Sequence, residues 1–143
     1  MPVAYIDIPS GLSSTAKAQL TKELGDAMHE AYPIPDTRIY LREFPAENTS
    51  LDSVPGAPFR PIADYVAPPG LSLEGKRKLI ARVNTAINRA LDLPEDVVTL
   101  PSGKRVTTRW VLHWFREVPL DAAAFDNMMA FENPMVMEFV PKH

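Results

Sequence analysis

The sequence predicts an α/β (α+β) chain in which two tandem β-α-β units form a four-stranded sheet with two helices on one face. Three observations support this fold class. The sequence repeats itself, each copy has the pattern strand, helix, strand, and such a crossover usually pairs its two strands in parallel with a right-handed connection. The 143 residues are enough for one domain with a sizeable core.

The repeat appears when the sequence is shifted by 59 positions. This shift carries Pro2 onto Pro61 and the run "GLS" at 11–13 onto the same run at 70–72. Further along, "REFP" and "REVP" align only with a shift of 74, so the second copy contains an insertion around "TLPSGKRVTTR". We therefore expect a single domain at 1–143, with repeats at about 2–50 and 61–120 and a C-terminal packing segment at 121–143.

The first copy has clear boundaries. "VAYIDI" is typical of a strand and is followed by the turn signal "PSG". Ser13 or Ser14 can cap the helix that follows, and Pro33 and Pro35 end it. "TRIYLREF" predicts the returning strand, because its residue types alternate. One helical face carries Ala16, Leu20, Leu24, Ala27, Met28 and Ala31.

The second copy follows the same plan. "PIADYVA" predicts a strand, and Ser72 can cap the helix that follows it. Pro94 ends this helix, and "TRWVLHWFREV" predicts the returning strand. The apolar side of this helix carries Leu79, Ile80, Val83, Ile87 and Leu91. Two helices on one face leave the other face of the sheet uncovered. We therefore expect a homo-oligomer in which the C-terminal segment packs on a neighbouring subunit or on the sheet edge.

Composition narrows the function classes. The net charge of −3 gives no sign of a nucleic-acid partner, and no apolar run is long enough to cross a membrane. Cysteine is absent and the N-terminus does not resemble a signal peptide, so a cytoplasmic location is expected. The three histidines have no carboxylates at the spacing of a metal-binding motif. The sequence also contains no P-loop and no dinucleotide-binding fingerprint. We expect no metal and no cofactor.

A duplicated β-α-β unit that starts Met-Pro resembles the tautomerase superfamily. The specific features are Pro2, the turn "PSGLSSTAK" and the strand "TRIYLREF". The length, and His29 near the end of the first helix, make the chain most similar to the fused-repeat subgroup of cis-3-chloroacrylic acid dehalogenase, whose members form homotrimers. The resemblance implies a tautomerase fold, a homotrimer and a small carbonyl or enol substrate.

The resemblance also implies a catalytic Pro2. Removal of Met1 would free its secondary amine, and an α-amino group titrates near pH 8, closer to neutrality than lysine. An apolar pocket would lower this pKa further, so the amine could move a proton beside a carbonyl group as general base and acid. Pro61 is an internal amide and has no such role. A retained Met1 would abolish the amine, and a proline that merely starts an edge strand is the alternative.

Other site residues follow from the same resemblance. The resemblance places His29 and Trp114 at catalytic positions of the subgroup. The alternatives are that His29 is an ordinary histidine at a helix end and that Trp114 is a core residue. Arg38 matches a strand arginine that contributes to a neighbouring subunit's site, and a surface ion pair is its alternative. The predicted substrate-binding residues are Arg38, Tyr40, Arg42, Arg116, Glu117 and Asp126. Since Arg42 and Arg116 recur in the repeat, they also suit a structural pairing with the neighbouring Glu43 and Glu117.

Departures from the family pattern limit the substrate. Pro68 and Leu71 stand where the dehalogenase subgroup has its carboxylate-binding arginines, and Phe125 stands near its water-activating glutamate, with Asp126 the nearest acid. Leu12 replaces the arginine after the first strand of 4-oxalocrotonate tautomerase. A more apolar pocket for a less charged enol is expected. Two functions stay open: a cofactor-independent tautomerase-like isomerase (keto-enol tautomerisation or a related hydration), or a protein of the same fold that binds a ligand or serves a pathway without proline catalysis.

Overall fold

The computed structural model describes residues 1–108 and 111–139. Its main sheet has four strands, β1 (Val3–Pro9), β2 (Arg38–Phe44), β5 (Ile62–Ala67) and β8 (Leu112–Glu117). Their spatial order is β2-β1-β5-β8. β1 pairs with β2 and β5 with β8 in parallel, and the two halves meet through the antiparallel pair β1–β5. The predicted architecture is confirmed.

Two helices of 18 residues each connect the parallel strands, α1 (Ser14–Ala31) and α2 (Leu73–Ala90). The side chain of Ser13 accepts a hydrogen bond from the amide of Ala16 at 3.1 Å, and that of Ser72 accepts one from the amide of Gly75 at 3.0 Å. These bonds satisfy amides that have no partner within the helix. The predicted cap of the second helix is confirmed, and the first helix uses Ser13 rather than Ser14.

The hydrophobic core lies between the sheet and the two helices. Strand residues point alternately to either face, so every second residue of β1 and β5 enters the core. The buried members include Ala4, Ile6, Ile8, Leu20, Leu24, Met28, Ala63, Tyr65, Leu79, Val83 and Ile87. Helix α1 packs beside α2 on this face. Both predicted helical faces are therefore the buried ones.

Shorter elements follow each unit. After β2 come a 3₁₀ turn (Ala46–Asn48) and the hairpin β3 (Ser50–Leu51) and β4 (Val54–Pro55). After β8 come a 3₁₀ turn (Leu120–Ala122) and the hairpin β9 (Ala124–Phe125) and β10 (Met128–Met129). The shift of 74 positions that aligns β2 with β8 also aligns these hairpins.

The remaining elements lie in the insertion and at the C-terminal end. The insertion forms the hairpin β6 (Asp96–Thr99) and β7 (Arg105–Thr108). A third 3₁₀ turn (Ala130–Glu132) and the helix α3 (Pro134–Met137) end the described chain. No helix in the described residues is long and apolar enough to span a membrane.

Candidate functional site

The amino terminus lies at one end of the central strand β1. Pro2 is fully buried, and its carbonyl oxygen accepts a hydrogen bond of 2.9 Å from the backbone amide of Arg38 at the start of β2. The ammonium group of Met1 donates a hydrogen bond to the carbonyl of Pro35, in the segment that leads into β2. The first two residues are thus held against the start of the neighbouring strand.

This position changes the acidity of the amino terminus. Burial, which disfavours the charged form, lowers the pKa of the Met1 amine to about 6. Two nearby charges act in opposite directions, since Asp36 raises this pKa and Arg38 lowers it. An amine with a pKa near 6 is largely neutral at neutral pH and can accept a proton.

Asp36 is a member of the site that sequence reasoning missed. Its Oδ2 atom accepts a hydrogen bond of 3.0 Å from Nε of Arg38 and lies 2.9 Å from a terminal guanidinium nitrogen of the same arginine. Its backbone has a φ of 68°, in the left-handed region that few residues other than glycine, asparagine and aspartate adopt. The available signal was an acidic residue between Pro35 and a predicted strand.

A cavity of about 680 Å³ lies beside the segment that binds the amino terminus, since Pro35, whose carbonyl accepts the hydrogen bond from Met1, lines it; Met1 and Pro2 themselves are not lining residues. Pro35 and Asp36 form one wall, and the hairpin β9–β10 with the start of α3 forms the other. Asp126, in the turn of that hairpin, lines the cavity with a φ of 49°. The structure thus brings Asp126 near Asp36 and the amino terminus, although 90 positions separate the two acids in the sequence.

The other predicted arginines and aromatic residues lie on the sheet face that the helices leave uncovered. Strand pairing arranges this face in three rows of four residues across β2, β1, β5 and β8. The rows are Arg38, Val3, Val66 and Arg116; then Tyr40, Tyr5, Asp64 and Trp114; then Arg42, Asp7, Ile62 and Leu112. We call this surface the open face. Tyr40 and Trp114 are about half exposed on it, at 48% and 51%.

Two arginines of the open face form ion pairs with carboxylates of the central strands. Nε of Arg42 lies 2.6 Å from Oδ1 of Asp7, and its guanidinium lies over the ring of Tyr5, 5.0 Å from the centroid. Nε of Arg116 lies 2.8 Å from Oδ1 of Asp64. The predicted structural pairing with the adjacent glutamates was wrong, because consecutive strand residues point to opposite faces.

Those two glutamates pair with lysines from the helices instead. Glu43 binds Lys17 at 2.9 Å, and Glu117 binds Lys76 at 3.2 Å. Glu117 therefore lies on the helix side of the sheet, away from Arg116. Its predicted contact with substrate would have to occur on that side.

His29 and Trp114 do not meet the amino-terminal cavity. His29 is exposed in the last turn of α1 and is absent from the cavity lining. Trp114 lies opposite Asp64 on the open face and is also absent from that lining. Among the described residues, no group of three histidine, aspartate or glutamate side chains could hold a metal ion.

A larger cavity, of about 840 Å³, lies at the internal proline. Pro61 and Arg60 line it, as do the first hairpin and the aromatic rings of Phe44 and Phe59, whose centroids are 6.0 Å apart. The carbonyl of Pro61 accepts a hydrogen bond of 3.1 Å from the amide of Leu112, which repeats the bond between Pro2 and Arg38. The nitrogen of Pro61 is an amide, so this cavity offers no amine.

Comparisons with known proteins support the fold. No protein-family model matches the sequence, and no curated protein matches it. Among solved structures, the chain is similar to a wild-type fused 4-OT, a symmetric trimer, with a TM-score of 0.70 at 22% identity; the match covers 91% of this chain and 97% of that chain.

Two further solved structures have the same architecture. Macrophage migration inhibitory factor of Toxoplasma gondii has a TM-score of 0.65 at 15% identity, over 89% of this chain and 98% of that chain. Malonate semialdehyde decarboxylase has a TM-score of 0.61 at 15% identity, over 87% of this chain and 91% of that chain. Identities at this level show the fold alone, and the chain has the fold of the tautomerase superfamily.

Proposed function

We propose that this chain is a cofactor-independent, tautomerase-like isomerase that transfers a proton within a small enolisable carbonyl compound. Pro2, freed by removal of Met1, is the general base and then the general acid. The observation that carries the proposal is the place of the amino terminus: the Met1 amine binds the carbonyl of Pro35, which lines a cavity, and burial at this place lowers the pKa of the Met1 amine to about 6. The nitrogen of Pro2 would become the terminal amine of the shortened chain.

The chemistry needs only this amine and a correctly placed substrate. The neutral nitrogen takes a proton from the carbon beside the carbonyl, and the electron pair of the C–H bond moves to form the enolate. The resulting ammonium returns the proton to oxygen, which gives the enol, so the enzyme is unchanged at the end. A related hydration would use the protonated amine as the acid. The hydrogen bond from the backbone amide of Arg38 to the carbonyl of Pro2 restrains the position of Pro2 at the start of β1.

The roles of the other predicted residues are part of the proposal. Arg38 and Asp126 are near the amino-terminal cavity and are proposed to position the substrate. Tyr40, Arg42, Trp114 and Arg116 lie on the open face, and His29 and Glu117 lie elsewhere. These six can contribute only where another subunit brings its amine to them.

A homotrimer is the proposed assembly. The open face presents half-exposed aromatic side chains, Tyr40 and Trp114, which favour burial against another subunit. The wild-type fused 4-OT of the same fold is a symmetric trimer. We propose that the chain acts as one domain of two repeats in this assembly, with a cytoplasmic location.

The test is deuterium exchange of enolisable carbonyl compounds, followed by proton NMR, together with the intact mass of the untagged chain. Removal of Met1 and loss of exchange in Pro2→Ala are the expected results. Pro61→Ala is the matched control, because Pro61 starts the equivalent strand and is equally buried. Pro61→Ala should keep the activity.

The opposite results would favour the alternative function. A mass that retains Met1, or exchange that is unchanged in Pro2→Ala, would rule out proline catalysis. The chain would then be a ligand-binding or pathway protein on the same fold. Size-exclusion chromatography with light scattering tests the trimer separately from the chemistry.

A further inference from the structure

The arginines predicted to bind a substrate carboxylate already have carboxylate partners within the chain. Arg38 is bound by Asp36 at 2.9 Å, Arg42 by Asp7 at 2.6 Å, and Arg116 by Asp64 at 2.8 Å. A substrate carboxylate would have to displace an aspartate that is already in place. Asp7 and Asp64 expose only 11% and 13% of their side chains, so displacement would leave a buried carboxylate without its partner.

The cavity beside the amino terminus is itself acidic. Asp36 and Asp126 are the charged residues of its lining, and no lysine or arginine of the described chain lines it. Asp36 is neutralised by Arg38, whereas Asp126 forms no ion pair with any described residue. An anionic ligand in this cavity would be repelled, because like charges at short distance raise the free energy of the complex.

The rest of the cavity lining suits an uncharged ligand. Its walls are largely apolar, with Phe125, Met128, Met135 and Val136 among them. Asn127 and Asn133 supply polar groups; the side-chain oxygen of Asn133 accepts a hydrogen bond from the amide of Met135 at 3.0 Å, which leaves its NH₂ group as a donor. Such a donor can bind a carbonyl oxygen without requiring charge on the ligand.

We infer that the substrate is an uncharged, largely apolar carbonyl compound, and that Asp36 and Asp126 disfavour carboxylates. The inference rests on the proposed proton transfer at Pro2 and adds the substrate class to it. Asp36 acts by occupying the guanidinium of Arg38, so that this arginine does not attract a substrate carboxylate. Asp126 acts by its charge alone.

The test compares two probes of the same shape, 2-oxo-4-phenylbutanoate and its uncharged primary amide. Deuterium exchange at the carbon beside the ketone is measured by proton NMR, and each rate is divided by the rate in buffer alone. The wild-type chain should accelerate the amide about tenfold more than the acid, which is a difference of about 1.4 kcal/mol. Both Asp126→Asn and Asp36→Asn should reduce this ratio, and asparagine tolerates the positive φ at both positions.

The chain offers a matched control in Asp52. It occupies the equivalent turn of the first hairpin, has the same φ of 49°, and lines the other cavity. Asp52→Asn should leave the ratio unchanged. A larger change in Asp52→Asn than in Asp126→Asn would overturn the inference.

The outcomes separate the substrate class from the proposed chemistry. Faster exchange of the acid than of the amide in the wild-type chain, lost in Pro2→Ala, would overturn the inference while the proton transfer stands. When neither probe exchanges, saturation-transfer NMR measures binding directly: binding of the amide alone supports the substrate class without the chemistry. Binding of the acid alone, or equal binding of the two, would contradict it.

Discussion

The hydroxyl of Tyr65 lies 2.7 Å from Nδ1 of His113, in the layer between the sheet and helix α2. On the other side of the imidazole, Nε2 lies 2.8 Å from Oδ1 of Asn84. Because an amide oxygen only accepts hydrogen bonds, Nε2 carries the proton and Nδ1 accepts from the tyrosine. The two rings also stack, with centroids 5.8 Å apart. A neutral histidine thus links β5, β8 and α2.

The first repeat lacks this polar contact. The positions equivalent to Tyr65, Asn84 and His113 are Ile6, Gly25 and Ile39. A Cβ atom built on Gly25 would lie 3.9 Å from the side chain of Ile39, so the space is apolar and open enough for a methyl group. The layer between sheet and helix is therefore hydrogen-bonded in the second repeat and apolar at the equivalent positions of the first repeat.

Acid should weaken the fold through His113. Burial lowers the pKa of this histidine to about 4, whereas an unfolded histidine titrates near 6.5. The unfolded chain binds the proton first, so this contribution to stability is complete above about pH 6.5 and is lost as the pH falls toward 4, by about 1–2 kcal/mol after allowance for partial exposure of the ring.

Urea unfolding at about pH 7 and about pH 4.5 checks this prediction. The loss of stability between the two pH values should be smaller in His113→Gln than in the wild-type chain. His29→Gln, which removes an exposed histidine, is the control and should keep the wild-type loss. Equal losses in wild type and His113→Gln would contradict the role of His113.

Truncation of Arg42 should destabilise the sheet. The guanidinium of Arg42 donates two hydrogen bonds to Asp7, at 2.6 and 3.3 Å, and Asp7 is only 8% exposed. Arg42→Ala leaves that carboxylate buried without its partner, at a cost of about 2 kcal/mol in the free energy of unfolding. Lys22→Ala breaks the exposed Lys22–Asp26 pair and should leave the urea midpoint unchanged. Similar midpoints for both variants would show that burial of Asp7 does not matter.

In a chain that retains Met1, the Met1 amine should respond to its two charged neighbours in opposite directions. Asp36 raises the pKa of this amine and Arg38 lowers it. Asp36→Asn should therefore lower the pKa, and Arg38→Gln should raise it. An NMR titration of Met1 in this chain measures both shifts, with Asp52→Asn as the unshifted control. Shifts of the same sign in the two site variants would contradict the electrostatic account.

Gly25→Ala should stabilise the chain. Gly25 lies in the interior of α1, where glycine costs about 0.5–1 kcal/mol relative to alanine through its greater freedom in the unfolded state. The added methyl group would meet the side chain of Ile39 at an ordinary contact distance of 3.9 Å. Urea unfolding should show a gain of about 0.5–1 kcal/mol. A lower midpoint would show that α1 and β2 are packed more tightly than this distance indicates.

Much of the fold could be predicted because its signals are local. Ser13 and Ser72 stand just before helices whose apolar residues recur every three or four positions, and Pro33 and Pro94 follow the helix ends. The parallel pairing within each unit followed from the crossover helix that joins its two strands. The duplicated sequence predicted a second unit beside the first, but it did not predict the antiparallel pairing of β1 with β5 that joins the two units.

The site was less predictable, because its contacts join residues that are far apart in the chain. The sequence analysis predicted ion pairs of Arg42 and Arg116 with the adjacent glutamates. It could not show that Asp7 and Asp64 lie on the same sheet face as these arginines and pair with them instead. The sequence analysis included Asp126 but missed Asp36, because the place of Asp36 beside the amino terminus and in the cavity wall is set by the tertiary structure.

The sequence by itself determined the duplicated β-α-β plan, the limits of its helices and the proline near the amino terminus. Capping, proline stops and apolar periodicity act over a few residues, and each can be recognised in a short window. Only the tertiary structure decided which carboxylate neutralises each arginine, and which two acids line the cavity beside the amino terminus. Those choices depend on strand register and on where the second hairpin packs, and both are fixed by the burial of the whole core.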